Sequence, residues 1–354
     1  MSLRFHLRRS QIALLIIIAA LVSAVSVRVS SVFAQDPAPV NLTLVGYAVP
    51  REAYAEIIPL FQAYWLEQTG QTVTFEESYA GSGSQSRAVI GGLEADIVAL
   101  SHEDHVTRIA DAGLITSDWQ AGETRGFVTD SVAVLAVRPG NPKEIQGWAD
   151  LAREGVEVVT PDPATSGAAQ WNILAAYGAA FRGHVDGYDA GEEGAAAYLA
   201  DVLRNVVVFD ADGRASFLTF EDGVGDVAIT YENEAIAAYQ AGGEFDVVYP
   251  TSTILIENPI AVVDVYADAH GVREVADAFV QFTYTPEAQA IFASKGFRPV
   301  IDGVLEDNPD LAVQFPEIED LFTINDFGGW PEVVPTFFGD DGIYTQIITT
   351  IQGQ

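Results

Sequence analysis

The chain has 354 residues, of which 50 are acidic, 17 are basic and none is cysteine, and its formal net charge is −33. So negative a chain repels polyanions, which excludes nucleic acid and anionic membrane surfaces as partners. Without cysteine it can carry neither a disulfide nor a lipid on an N-terminal cysteine.

The first 34 residues have the pattern of a secretory signal peptide. Arginines within 1–9 precede an apolar run over 12–27, and 32–34 places small residues before a cleavage point. About 16 apolar residues are fewer than the ~20 of a membrane-spanning helix, and a retained anchor is the alternative. Cleavage after Ala34 would leave a periplasmic protein of 320 residues with 13 basic and 50 acidic side chains, a net charge of −37.

The rest of the sequence alternates strand and helix patterns. Strands are predicted over 40–48, 72–80, 96–101, 131–140, 156–162, 206–211, 226–231 and, as two extended pieces, 245–265. Helices are predicted over 51–70, 84–95, 105–115, 147–155, 167–181, 195–206, 217–225, 272–284 and 285–296. The helix over 51–70 carries apolar residues at the spacing of one buried face: Tyr54, Ile57, Ile58, Phe61 and Trp65.

This alternation predicts the fold class. Strands separated by helices of about 10–15 residues are typical of parallel sheets in an α/β fold. The 320 residues left after cleavage exceed one typical core, and two lobes are therefore expected.

Three turns of small residues follow predicted strands. They are AGSGSQS at 80–86 with Ser82, TSGAAQW at 165–171 with Ser166, Gly167 and Ala168, and DGRAS at 212–216 with Gly213. A helix that begins in such a turn offers free backbone N–H groups at the positive end of its dipole, and small side chains let an anion reach them. A plain helix cap or β-turn is the alternative for each. The first two turns together predict an anion site made of dipoles rather than lysines, and Gly213 in the third could approach the ligand.

Two further features have competing interpretations. Tyr231 ends a predicted strand, and its hydroxyl could point into a cleft or be satisfied within a core. The sequence His-Glu-Asp-His at 102–105 is interpreted as a solvated turn rather than a metal site. No residue order supports catalysis, although a secreted hydrolase using Ser82 or Ser166 stays open if a base lies beside either hydroxyl.

Taken together, the sequence resembles the periplasmic sulfate- and thiosulfate-binding proteins of ABC transporters. The matching segments follow the family order over nearly the whole mature chain: YAVPREAY, SYAGSGSQSRAVIGGLEADIVAL, VRPGNPKEIQGWADL, VTPDPATSGAAQWNILAAYG, GVGDVAITYENEA, TPEAQAI, GFRPV and FTINDFGGW. The resemblance implies two α/β lobes joined by a hinge, with the ligand in the cleft between them. Lobe 1 would be 41–130 plus 252–320 and lobe 2 would be 131–251. The tail over 321–354 could pack on either lobe.

The resemblance also implies a ligand-binding set. Ser82 would donate from lobe 1, and lobe 2 would donate through the hydroxyl and backbone of Ser166 and through the N–H groups of Gly167, Ala168 and Gly213. Tyr231 stands where well-known members have a donating tryptophan. Three other departures from the family pattern are Ala168 for glycine, Gln170 for arginine and Ala48 for aspartate.

The implied function is capture of sulfate, or thiosulfate, for the membrane permease of an ABC importer, by a monomer without enzymatic activity, cofactor or metal. Phosphate at neutral pH carries a proton that needs an acceptor, and a pocket of donors alone should reject it. The alternatives are a binding protein for another oxyanion such as molybdate or tungstate, a secreted hydrolase, and a structural surface protein with a filled cleft.

Overall fold

The structure, a computed structural model, describes residues 37–353. The expected signal peptide over 1–34 lies outside the described residues. Within them, no helix combines the length and the apolar character needed to cross a membrane.

Eleven strands and fourteen α-helices are described between residues 37 and 353. The strands are β1 Val40–Tyr47, β2 Val73–Ala80, β3 Ile97–Ala99, β4 Phe127–Val137, β5 Val158–Pro161, β6 Val206–Asp210, β7 Val227–Tyr231, β8 Asp246–Val248, β9 Ser252–Val262, β10 Arg298–Pro299 and β11 Asp320–Phe322. The helices are α1 Arg51–Thr69, α2 Ser82–Ile90, α3 Glu103–Asp111, α4 Gly167–Phe181, α5 Glu192–Arg204, α6 Gly213–Glu221, α7 Glu232–Gln240, α8 Asp264–His270, α9 Arg273–Phe282, α10 Pro286–Ser294, α11 Val304–Asp307, α12 Pro309–Ala312, α13 Trp330–Val333 and α14 Ile343–Gln352. Short 3₁₀ turns lie at Trp148–Ala152 and Ile324–Phe327, and a π turn at Val334–Phe338.

The strands hydrogen-bond in the order β2-β1-β3-β9-β4-β7-β5-β6. β1 is parallel to β2 and β3 at one end of this order, and β5 is parallel to β6 and β7 at the other. Between these groups lie two long antiparallel strands, β4 and β9. The first part of β4, up to Val132, pairs with β9, whereas the part from Ala133 pairs with β7 and β8. β4 therefore joins the two parallel groups.

The helix predicted over 51–70 is confirmed as α1, and the five apolar residues expected on its inner face are buried. They pack with rings from later in the chain. Phe61 meets Phe279 and Phe282 at ring-centroid distances of 5.1 and 5.5 Å, both edge-to-face. Such aromatic pairs contribute about 0.5–1.5 kcal/mol each beyond the burial of their area, so α1 is held by tertiary contacts rather than by helix propensity.

The segment over 321–354 packs on β9 and on the side chains of His102 and Trp171. β11 pairs with the beginning of β9. Trp330 stacks on His102 at a ring-centroid distance of 3.8 Å and meets Trp171 edge-to-face at 4.8 Å. The C-terminal segment therefore covers the junction near the three small-residue turns.

Two acidic residues face each other where β4 crosses β9, since Asp130 is in register with Glu257. Burial and the neighbouring Glu257 raise the pKa of Asp130 to about 7. A carboxyl whose pKa is raised on folding binds more protons in the folded than in the unfolded state between about pH 4 and 7, so its contribution to stability falls as pH rises through that window.

We therefore expect Asp130→Asn to stabilise the protein at pH 8 by about 1 kcal/mol, the scale of one like-charge cross-strand pair. At pH 4, where the carboxyl is already protonated in the folded state, the change should be close to zero. Urea unfolding of both proteins at the two pH values measures the difference. A substitution that destabilises equally at pH 4 and 8 would contradict this account.

Candidate functional site

Helices α2, α4 and α6 begin at the three small-residue turns, and their N-termini meet. Ser82, Ser166, Ala168 and Gly213 line one small cavity of about 10 Å³. This is smaller than the roughly 300–1,000 Å³ of pockets for organic ligands. The turns also bond to one another, because the N–H of Ser84 donates to the Thr165 carbonyl at 3.2 Å and the Thr165 hydroxyl to the Ala211 carbonyl at 2.8 Å.

Among residues 37–353, the cavity is lined mainly by donors and by no lysine or arginine. Within residues 37–353, no acceptor contacts the N–H groups of Gly167, Ala168 and Gly213, which belong to the first turns of α4 and α6. These groups carry the positive end of each helix dipole. The Asp212 carboxylate at the cavity wall is occupied as the cap of α6, accepting from the N–H of Ala215 at 2.9 Å.

Ser166 caps α4, and its hydroxyl oxygen accepts from the N–H of Ala169 at 3.4 Å. This leaves the hydroxyl proton free to be donated. The backbone N–H of Ser166, however, donates to the Asp162 carbonyl at 2.8 Å. The expectation that Ser166 offers its backbone N–H to a ligand is therefore corrected, because the loop before α4 already uses that donor.

Tyr231 lies at the end of β7 and is buried. Its hydroxyl hydrogen-bonds the Ser101 hydroxyl at 2.9 Å, and either can be the donor. Tyr231 does not line the cavity of the three turns but an adjoining void that shares Ala168 and Gly213 with it. Burial raises its pKa, so it is a neutral phenol at physiological pH.

Residues 42–298 match the family of bacterial extracellular solute-binding proteins. The chain belongs to this family. The solute-binding protein is 48% identical over 318 residues to a sulfate-binding protein of Synechococcus elongatus, with 89% of each chain covered. It is 36% identical over 308 residues to a thiosulfate-binding protein of Pseudomonas aeruginosa, covering 86% of this chain and 90% of that protein.

A solved structure agrees with the sequence comparisons. The sulfate-binding protein SubI of Mycobacterium tuberculosis superposes with a TM-score of 0.73 at 40% identity, covering 84% of this chain and 99% of SubI. The expected α/β fold with two lobes, that of the periplasmic binding proteins, is confirmed. The resemblance to the sulfate and thiosulfate branch is confirmed as well.

The interpretation of 102–105 as a solvated turn is wrong. His102 is 0% exposed and His105 is 1% exposed, and their rings are in contact at a centroid distance of 3.8 Å with an angle of 32° between their planes. Burial holds the pKa of His102 well below its usual range and lowers that of His105 to about 3, so both rings are neutral at physiological pH. Trp330, packed on the other face of His102, provides the burial that the local sequence does not suggest.

Asp104 joins the two histidines in a group whose possible metal-ligating atoms lie within 4.8 Å of one another. Trp330 stacks on His102 at a ring-centroid distance of 3.8 Å, so the orientation of that imidazole is set by ring packing. The group is better suited to packing than to a tetrahedral metal centre.

The structure does place a base beside Ser82, because its hydroxyl oxygen lies 2.8 Å from Nδ1 of His105. The same oxygen accepts from the N–H of Ser101 at 2.9 Å. A hydrolytic triad also needs a carboxylate on the second ring nitrogen to orient the base. Nε2 of His105 has no hydrogen-bond partner among the described residues, so the arrangement lacks the orienting acid.

Ser101 is a site residue that the sequence did not identify. It follows β3, is fully buried, and connects both sides of the cavity. Its N–H and hydroxyl contact Ser82 and Tyr231, and its carbonyl accepts from Trp171 Nε1 and Asn258 Nδ2, each at 2.9 Å. The usable signal was its position at the carboxyl end of a buried parallel strand, where ligand-binding residues of α/β proteins gather.

Proposed function

We propose that this solute-binding protein captures sulfate, or thiosulfate, and delivers it to the membrane permease of an ABC importer. The observation that carries the proposal is the convergence of three helix N-termini, with free N–H groups, on one small cavity without a cation. A fully ionised oxyanion needs only donors, and each charge-assisted hydrogen bond contributes about 1.5–3 kcal/mol net. Sulfate- and thiosulfate-binding relatives of similar length support this choice of ligand.

We propose Ser82, Ser166, Gly167, Ala168, Gly213 and Tyr231 as the ligand-binding set. Ser82 and Ser166 contribute hydroxyls, and the next three contribute N–H groups. Tyr231 contributes through its hydroxyl pair with Ser101, which can present either a proton or a lone pair. Because that pair can also accept, it is the one part of the site that could tolerate a protonated or larger oxyanion such as molybdate.

The lobes that close on the ligand are proposed as 41–130 plus 252–320 for lobe 1 and 131–251 for lobe 2. The change of partner along β4 supports a boundary there, because one strand serves both parallel groups. The bonds between the three turns describe the closed arrangement, since Ser84 belongs to lobe 1 and Thr165 to lobe 2. The segment over 321–354 contacts both lobes.

We further propose a secreted, monomeric receptor without enzymatic activity. The family is extracellular, and residues 1–34 have the pattern of a cleaved signal. Burial lowers the pKa of His105 to about 3, so it is a weak base, and its Nε2 has no orienting acid among the described residues; both features support binding rather than hydrolysis.

Isothermal titration of the purified protein with sulfate, thiosulfate, molybdate and phosphate tests the proposal. We expect tight one-to-one binding of sulfate or thiosulfate and much weaker binding of phosphate at the same site, because the proposed ligand-binding set offers the phosphate proton no acceptor apart from the Ser101–Tyr231 hydroxyl pair. A protein that binds none of the four, or that prefers phosphate at this site, would refute the donor-only account.

Ser166→Ala should weaken sulfate binding about tenfold or more, since one charge-assisted hydrogen bond is lost. The α4 cap is lost too, at about 1 kcal/mol of stability. Ser166→Thr keeps both the hydroxyl and the cap and serves as the control for affinity. Calorimetric titration of the wild type, Ser166→Ala and Ser166→Thr with sulfate measures the difference. Equal sulfate affinities of the three proteins would show that the Ser166 hydroxyl does not touch the ligand.

A further inference from the structure

A second cavity lies on the far side of the Ser82–His105 pair. It has a volume of about 240 Å³, and its lining includes Arg87, Arg108, His105, Gln170, Val334 and Phe338. No carboxylate is among its lining residues. Two guanidinium groups at one cavity are notable in a chain with 17 basic and 50 acidic residues.

The two cations at this cavity differ in how they are already bonded. Arg87 is exposed and forms no ion pair among the described residues; its one side-chain contact is a hydrogen bond to the Ser84 hydroxyl at 3.3 Å. Arg108 is partly exposed and pairs with Asp104. Guanidinium groups bind phosphate oxygens bidentately, and their forks suit such ligands better than an ammonium does.

The cavity also contains buried polar atoms without partners. His105 is 1% exposed and its Nε2 is unpartnered, and Gln170 is 5% exposed with its Oε1 unpartnered in the part of the chain that the structure describes. Buried polar groups are nearly always hydrogen-bonded, and an exception calls for an occupant. The amide oxygen of Gln170 is an acceptor, whereas the cavity of the three turns is lined mainly by donors.

We propose that this cavity is a second anion site, which takes a hydrogen-phosphate group. The two arginines would neutralise the charge, and Nε2 of His105 would be an acceptor beside Gln170, because the one proton of this neutral ring lies on Nδ1 when the Ser82 hydroxyl donates to sulfate. Gln170 would accept the proton that a hydrogen phosphate carries at neutral pH. The apolar wall of Val334 and Phe338 leaves room for a small organic group on that phosphate. The site is distinct from the sulfate site and does not require it to be correct.

The test uses protein saturated with sulfate, so that the cavity of the three turns is filled. Inorganic phosphate and glycerol 3-phosphate are then titrated separately by calorimetry, and the phosphorus NMR signal is followed for line broadening. We expect one phosphate per chain, with tighter binding of glycerol 3-phosphate if the apolar wall contributes. Arg87→Gln and Arg108→Gln should each weaken phosphate about tenfold or more while sulfate affinity stays within twofold.

Arg204→Gln is the matched control, because Arg204 is an exposed arginine paired with Asp201 on α5, outside this cavity. It should leave phosphate binding unchanged. No phosphate binding to sulfate-saturated protein, or equal binding by the Arg87 and Arg108 variants and the control, would overturn the proposal. One-for-one displacement of phosphate by sulfate would overturn it too. If sulfate itself fails to bind, the sulfate proposal fails, and phosphate titration of the unliganded protein still tests this second site.

Discussion

Replacing Gly81 by alanine is expected to lower the affinity for sulfate at least about a hundredfold while leaving the unliganded fold intact. A Cβ at this position would lie 2.5 Å from the Thr165 carbonyl oxygen and 2.8 Å from the Ala211 carbonyl oxygen. Both are backbone atoms of the proposed lobe 2, so no side-chain rotation relieves the clash. Overpacking costs typically about 1–3 kcal/mol, and incomplete closure also removes donors worth about 1.5–3 kcal/mol each.

The backbone of Gly81 does not itself require glycine, because its φ of −57° and ψ of 132° are open to any residue. The open protein should therefore tolerate alanine. Gly147→Ala is the control, since it is also a helix-capping glycine and a Cβ there meets nothing within 4 Å. Calorimetry with sulfate and thermal melts without ligand separate the effects. Unchanged sulfate affinity in Gly81→Ala would show that the two lobes do not close at this contact.

The features predicted from the sequence were those that depend on local chemistry. The five apolar residues of α1 recur at helical spacing, and the three small-residue turns precede helices because glycine, serine and alanine suit helix starts. Boundaries were less accurate. β4 begins at Phe127, four residues before the predicted strand. Pairing of residues 127–130 with β9 and β10 extends the strand beyond the apolar run.

The features that the sequence did not predict depend on distant neighbours. His102 and His105 lie in a polar segment, and their burial follows from stacking on Trp330 near the other end of the chain. Ser101 joins the two lobes only because β3 ends beside Tyr231. The occupied N–H of Ser166 results from the local path of the chain back to Asp162. The residue types and their spacing along the chain do not indicate any of these contacts.

Replacing Arg298 by glutamine is expected to destabilise the protein by about 3–5 kcal/mol, the usual cost of removing one partner of a buried ion pair. Glu232 is 0% exposed, and Arg298 donates to its two carboxylate oxygens at 2.6 and 2.9 Å. Arg298 lies on β10, in the proposed lobe 1, and Glu232 directly follows Tyr231 in lobe 2. The pair therefore joins the lobes beside the proposed hinge and holds the end of β7 that positions Tyr231.

The protonation of Glu232 makes this cost distinguishable from a loss of packing. Burial raises the pKa of Glu232 even with Arg298 present, so without the guanidinium the carboxyl should take up a proton on folding. The melting temperature of Arg298→Gln should then fall by about 10 °C at pH 8 and by less at pH 5, where protonation relieves the uncompensated charge. Adding Glu232→Gln to Arg298→Gln should recover most of the loss at pH 8, because no charge is left buried.

Arg204→Gln, which breaks an exposed pair on α5, should change stability by less than about 1 kcal/mol. If Arg298→Gln is no more destabilising than Arg204→Gln, or if the double variant is no more stable than the single one, Glu232 is not held as a buried carboxylate by Arg298.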